Sequence, residues 1–146
     1  MPLVVEQSVQ VNAAPEAVWR ALTDPDVTEK YFFKSRVKSD WRPGSAIEFR
    51  RTFLGVIPFV LRGVITQADP GRRLQYKLFH HRFFGEPGPD EYSLVTDVLE
   101  PAGGGTRLSI TDDVGTTKGA ERRYSRSVKG WQSVLSGLQR VFESGE

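Results

Sequence analysis

Near the end of the chain, Tyr124, Val128, Trp131, Leu135, Leu138 and Phe142 follow one another at spacings of 4, 3, 4, 3 and 4 residues. That period is one unbroken apolar stripe on an α-helix whose other faces are polar. The spacing predicts a helix over 118–143, about 39 Å long at 1.5 Å per residue. A helix of that length with one apolar face needs a surface of matching length to cover it. Everything upstream must supply that surface.

The upstream chain reads as a sheet. Residues 3–12 alternate, with Val5, Val9 and Val11 on one side and Glu6, Ser8 and Gln10 on the other, the period of a strand with one wet face. Asn12-Ala-Ala-Pro15 ends it, and Pro15 and Glu16 suit the first turn of a short helix over 15–22 that buries Val18, Trp19 and Leu22. Asp24-Pro25-Asp26 opens a second short helix that runs into Tyr31-Phe32-Phe33. From Val37 to Asp113 the pattern is one of β-hairpins. Runs at 46–53, 59–68, 73–80, 91–100 and 106–113 are separated by turn signals at 42–45, 55–58, 69–71, 85–89 and 101–105. Short turns join antiparallel neighbours, since parallel pairs need long crossovers. The expectation is an α+β fold: a curved antiparallel sheet of six to seven strands wrapped around the long C-terminal helix, with two short helices after strand 1. A curved sheet gripping a helix tends to enclose a cavity, and concave apolar cavities are where small ligands bind.

Composition narrows the rest. The 146 residues carry a formal charge of +2, 38% hydrophobic and 26% charged residues, close to globular averages and to the size of one domain spanning 1–146. There is no Cys, which removes disulfides, thiolate nucleophiles and Cys-based metal sites together. No apolar run approaches the ~20 residues of a membrane span, and the N-terminus lacks a signal-peptide layout, so a cytoplasmic protein is expected. The mild charge argues against a nucleic-acid partner.

Five stretches together resemble the START-like helix-grip (SRPBCC) superfamily. They are VNAAPEAVWRAL at 11–22 followed by TDP, GVITQADP at 63–70 with Arg73-Leu74, VTDVLEP at 95–101, GGGTRL at 103–108, and Gly130-Trp131 with Leu135 and Leu138. Within it the chain is most similar to the activator of heat-shock protein 90 ATPase homologue-like family, whose members include co-chaperone domains, hydrophobic-ligand carriers and polyketide cyclase-like proteins. The chain departs from that pattern in lacking a Trp near Tyr31 or Phe32, in having Leu78 where an aromatic is usual, and in carrying Asp97 where an apolar residue is usual.

Strand parity supplies the candidate cavity wall. If Ile47 and Phe49 face inward, so does Arg51. Leu61 and Ile65 take Gln67 with them, and Leu74, Tyr76, Leu78 and His80 share a face. By the family's alternation Val95, Asp97 and Leu99 point in, as do Leu108, Ile110 and Asp112, although Tyr92, Leu94 and Val98 form an equally apolar opposite set. The expected ligand-binding residues are therefore Phe32, Phe49, Arg51, Ile65, Gln67, Tyr76, Asp97, Trp131 and Leu135. Buried charge must be paired or must meet a ligand or water, so Arg51 and Asp97 either pair with each other or anchor a polar ligand group, with Arg51 favouring carboxylates. Solvated strand ends are the plainer account of both.

Other motifs carry less. His80 and His81 are adjacent on a strand and point to opposite faces, as do Asp112 and Asp113, so no metal and no cofactor are expected. No Ser sits in a Gly-x-Ser-x-Gly elbow, and Gly103-Gly-Gly105 joins two strands as a hairpin turn. The segment FLGVIPFVL at 53–61 has no charge; it is expected to fold over the cavity mouth as a lid, with docking of a second copy or protein partner, or contact with a membrane surface, as the alternatives. Lys118, Arg122, Arg123, Arg126 and Lys129 crowd the start of the long helix against its dipole, which a solvated face or an anionic partner would accommodate. Binding of a small hydrophobic or amphipathic molecule in the cavity ranks first, a chaperone-activator-like interaction domain second, and a cyclase-like enzyme, for which no acid–base pair stands out, third.

Overall fold

The computed structural model describes residues 3–80, 91–116 and 118–143. In chain order the elements are β1 (Leu3–Val11), α1 (Pro15–Thr23), α2 (Pro25–Tyr31), β2 (Arg36–Ser39), β3 (Ala46–Phe53), β4 (Ile57–Asp69), β5 (Arg73–Phe79), β6 (Tyr92–Ala102), β7 (Gly105–Gly115) and α3 (Ala120–Glu143). The strands form one antiparallel sheet in the order β1-β7-β6-β5-β4-β3-β2. Hairpins build it from β2 to β7, and the first strand then closes onto the last. That closure starts α3 beside β1, along which it runs. Gln7 Nε2 donates to the Val128 carbonyl at 3.0 Å and Gln139 Nε2 to the Gln10 carbonyl at 2.9 Å.

Local chemistry sets the turns and ends. The β6–β7 turn is the two glycines 103 and 104, with φ of 56° and 81°, the left-handed pair a tight hairpin needs. The helices α1 and α2 both begin with Pro, and Asp24 Oδ1 accepts the Asp26 N–H at 2.9 Å to cap α2. The Tyr31 hydroxyl donates to the Ala21 carbonyl at 2.7 Å and ties the two short helices together. The long helix passes close to them at Gly137, where a Cβ would lie 2.9 Å from that of Tyr31. A glycine inside a helix costs about 1 kcal/mol, here offset by that close packing.

The core lies between the sheet and α3. Val5, Val11, Ile47, Ile65, Leu74, Tyr76, Val95, Leu99, Leu108 and Ile110 from the strands pack with Trp131, Val134, Leu135 and Leu138 from the helix. On β6 the odd-numbered set Val95, Asp97 and Leu99 is buried, which resolves the two-way parity of that strand.

Three expectations need correction. Gln67 does not face inward. A bulge between Ile65 and Gln67 inserts Thr66, so Ile65 pairs with Tyr76 but Gln67 with Gln75, and the side chains beyond it change faces. Gln67 is exposed, accepting from Arg73 Nε at 2.7 Å, and Ala68 packs on the core instead. Second, the β3–β4 tip does not close down as a lid: Leu54 and Val56 are each 79% exposed and Ile57 51%. Leu54 and Gly55, both at positive φ, make the turn, so the hairpin extends further than the turn signal at 55–58 implied. Third, Lys118 precedes the long helix, which begins at Ala120. The turn signal at 85–89 and His81 lie outside the described residues.

Candidate functional site

A cavity lies where α1, α2 and α3 meet the inner face of β3, β5, β6 and β7. Its wall includes five aromatic side chains: Tyr31 from α2, Phe32 just after it, Phe49 from β3, Tyr76 from β5 and Trp131 from α3. Phe32 stacks on Phe49 with centroids 4.7 Å apart and meets the Trp131 ring edge-on at 5.7 Å. Leu22, Ile47, Leu74, Leu108, Ile110 and the α3 residues Val134, Leu135 and Leu138 fill in between. The volume is about 20 Å³, room for a water molecule and little more.

One carboxyl lines this apolar space among the described residues. Asp97 on β6 is 4% exposed, and its Oδ1 has no hydrogen-bond partner among the described residues. Burial, helped by the neighbouring charge of Asp112, pushes its carboxyl up to about 7. Burial likewise raises the Tyr76 phenol well above its usual range, reinforced by Asp97 and Asp112, and burial with the charge of Asp97 raises Tyr31.

On the next strand Asp112 is treated differently. Its Oδ2 accepts from the Trp131 indole N–H at 2.8 Å and from the Ser127 hydroxyl. Burial still raises its carboxyl, but these two donors hold it down. The family's alternation had aimed Asp112 inward, but its partners were missed. A buried indole N–H requires an acceptor, and Ser127 lies one helical turn before Trp131 on the same face, so the signal was present.

Of the nine expected site residues, Phe32, Phe49, Tyr76, Asp97, Trp131 and Leu135 line the cavity. Ile65 is buried in the core without lining it, because Ile47, Phe49 and Tyr76 present the adjoining wall. Gln67 is turned out by the bulge. Arg51 also stays out of the cavity. Its Nη1 donates to the Phe33 carbonyl at 3.3 Å and its guanidinium lies 5.3 Å from the centroid of the Phe59 ring. It does not pair with Asp97.

Phe33 and Lys34 both adopt left-handed backbone, with φ of 50° and 58°. For residues with a Cβ this conformation is strained. The segment that follows the stacked Phe32 is thus held under tension, with Arg51 gripping its carbonyl.

Elsewhere, His80 is half-buried, with Nε2 3.3 Å from Ser93 Oγ, and burial lowers its imidazole, aided by the nearby Arg123. Arg123 turns back to donate to the carbonyls of Lys118 and Val114. Lys118, Arg122, Arg126 and Lys129 are exposed. No group of three His, Asp or Glu side chains able to hold a metal occurs among the described residues. No helix among them is long and apolar enough to cross a membrane.

Solved structures share this architecture from end to end. A protein from Mesorhizobium loti superposes with a TM-score of 0.78 at 24% identity, covering 98% of both chains. One from Cytophaga hutchinsonii gives 0.75 at 28% identity, covering 98% of this chain and 95% of that one. The Aha1 dimer from Colwellia psychrerythraea gives 0.75 at 19% identity and 98% of both chains, a likeness of fold. No curated protein matches the chain. Residues 12–143, nearly the whole sequence, match the family described as Activator of Hsp90 ATPase homolog 1-like protein, and the chain belongs to that family.

Proposed function

We propose that this chain binds a small hydrophobic or amphipathic molecule in the cavity between the sheet and α3. The observation that carries the reading is Asp97, a buried carboxyl with an unpartnered oxygen at an aromatic-walled cavity. Leaving such a group unsatisfied costs about 1–3 kcal/mol, which a ligand's polar end would relieve. At about 20 Å³ the cavity must widen to admit anything beyond water. Phe32 is the movable wall. It is only half-buried, and the strained Phe33-Lys34 segment behind it stores energy that its displacement releases. Arg51 is the latch that keeps the segment in place.

The test is native mass spectrometry of the purified protein together with titration of a hydrophobic fluorescent probe. The expected result is one probe per chain, competed by any co-purified apolar molecule and weakened when Leu135→Trp fills the cavity. Absence of stoichiometric binding would refute the reading.

A second reading rests on the exposed β3–β4 tip. Leu54, Val56 and Ile57 project apolar surface where hairpin tips are ordinarily polar. That tip suits contact with another protein or a second copy, in keeping with a family named for activating a chaperone ATPase and with a relative that is a dimer. Val56→Asp would abolish such a contact and leave cavity binding untouched.

A further inference from the structure

Resting on the cavity reading above, we propose that the ligand class is a compact hydrophobic amine, its ammonium seated between Asp97 and the surrounding aromatic rings. Three observations converge on positive charge. Among the described residues, Asp97 supplies the only ionisable carboxyl lining the cavity, and its Oδ1 has no donor. The ring set of Tyr31, Phe32, Phe49, Tyr76 and Trp131 provides faces of negative electrostatic potential, which attract cations most strongly where water is excluded. Arg51, the cation expected to share this space, instead spends its guanidinium on the Phe33 carbonyl and the Phe59 ring. A site acidic in this way rejects carboxylates, the opposite of what Arg51 in the wall would have selected.

The charges facing Asp97 support the same choice. Tyr76 on β5 and Tyr31 on α2 are held neutral, and Asp112 on β7 is the one other acid nearby. The helices α1 and α3 contribute only Leu22, Trp131, Val134, Leu135 and Leu138, none of which titrates. An incoming ammonium therefore meets no competing cation among the described residues that line the cavity. It forms a charge-assisted hydrogen bond to the carboxylate, and near neutral pH, where Asp97 is part-protonated, it displaces that proton to solvent.

The experiment compares three probes of one shape: 2-phenylethylamine, 2-phenylethanol and phenylacetate, titrated calorimetrically at pH 7 in two buffers of different ionisation heat. The amine is expected to bind about tenfold or more tightly than the alcohol, with about half a proton released, and phenylacetate most weakly. In Asp97→Asn, whose fold is checked by its thermal transition, the amine should lose its advantage and its proton release while the alcohol still binds. If the alcohol equals the amine, or if Asp97→Asn leaves their ratio unchanged, the amine assignment is overturned and cavity binding survives. If none of the three binds and the fluorescent probe also fails, the cavity reading itself is overturned.

Discussion

Asp97 and Asp112 occupy neighbouring antiparallel strands, point to the same face and are buried to nearly the same extent, 4% and 6% exposed. Their surroundings differ. Asp112 meets α3 where that helix offers a hydroxyl and an indole N–H one turn apart, so it belongs to the packing of helix on sheet. Among the described residues Oδ1 is unpartnered in both, but Asp97, deeper under the aromatic wall, has no side chain donating to it as Ser127 and Trp131 donate to Oδ2 of Asp112. Burial alone thus does not say what a carboxyl is for. The partner inventory separates a group that fastens two elements from one that awaits something else.

The largest expected effect comes from the fastened side. Trp131→Ala removes a buried ring from the cavity wall and a donor from Asp112, and it should destabilise the protein by about 3–5 kcal/mol in denaturant unfolding. Trp131→Phe isolates the donor: most of the packing remains, and Asp112 should titrate higher than in the wild type when followed by carboxyl NMR. An unchanged Asp112 would break the contrast drawn above.

On the Asp97 side the effect has the opposite sign. The folded-state value of about 7 lies above the 3.8 of the free side chain, so the folded protein holds a proton that the unfolded chain has released between those values. Stability from this group is present below about pH 4, falls as the pH rises toward 7, and is gone above it. A separation of about three pH units corresponds to about 4 kcal/mol. Asp97→Asn should therefore stabilise the protein by about 2–4 kcal/mol at pH 8, be nearly neutral at pH 4, and flatten the pH profile of unfolding. A variant less stable than wild type at pH 8 would mean that Asp97 has a partner after all. Smaller again is Ser127→Ala, at about 1.5–3 kcal/mol for the lost bond to a charged group, with Asp112 titrating upward.

The fold was legible where periodicity is strong. The α3 stripe, the alternation of β1 and the Pro starts of both short helices each rest on local chemistry, and five stretches carried the family resemblance. Parity placed Phe49 and Tyr76 at the cavity because alternation survives along an unbroken strand, the family's alternation placed Asp97, and the stripe on the long helix carried Trp131 and Leu135. Gln67 was lost to a one-residue bulge, which no residue type at Thr66 announces. Arg51 shows a different limit. Parity gives the side a Cβ leaves from, and a long side chain can still turn to a carbonyl such as that of Phe33. The exposed tip was misread because apolar composition alone does not say whether a hairpin lies down or projects.

Arg51 also gives the finest test, because the two readings of it predict opposite outcomes. If it anchors acids, Arg51→Leu weakens carboxylated ligands. If it latches the Phe33 segment, the substitution removes, with the rest of the guanidinium's contacts, its hydrogen bond to the Phe33 carbonyl, worth about 1 kcal/mol to the closed state. The unfolding midpoint should shift only slightly. The open population should rise about fivefold, and where a probe binds the open form alone its affinity rises by the same factor. Stopped-flow mixing with the fluorescent probe would show this as a faster association phase, identical for neutral and charged probes, with dissociation little changed. A loss confined to acidic probes would return Arg51 to the cavity wall. An unchanged association rate would show that Phe32 is no gate.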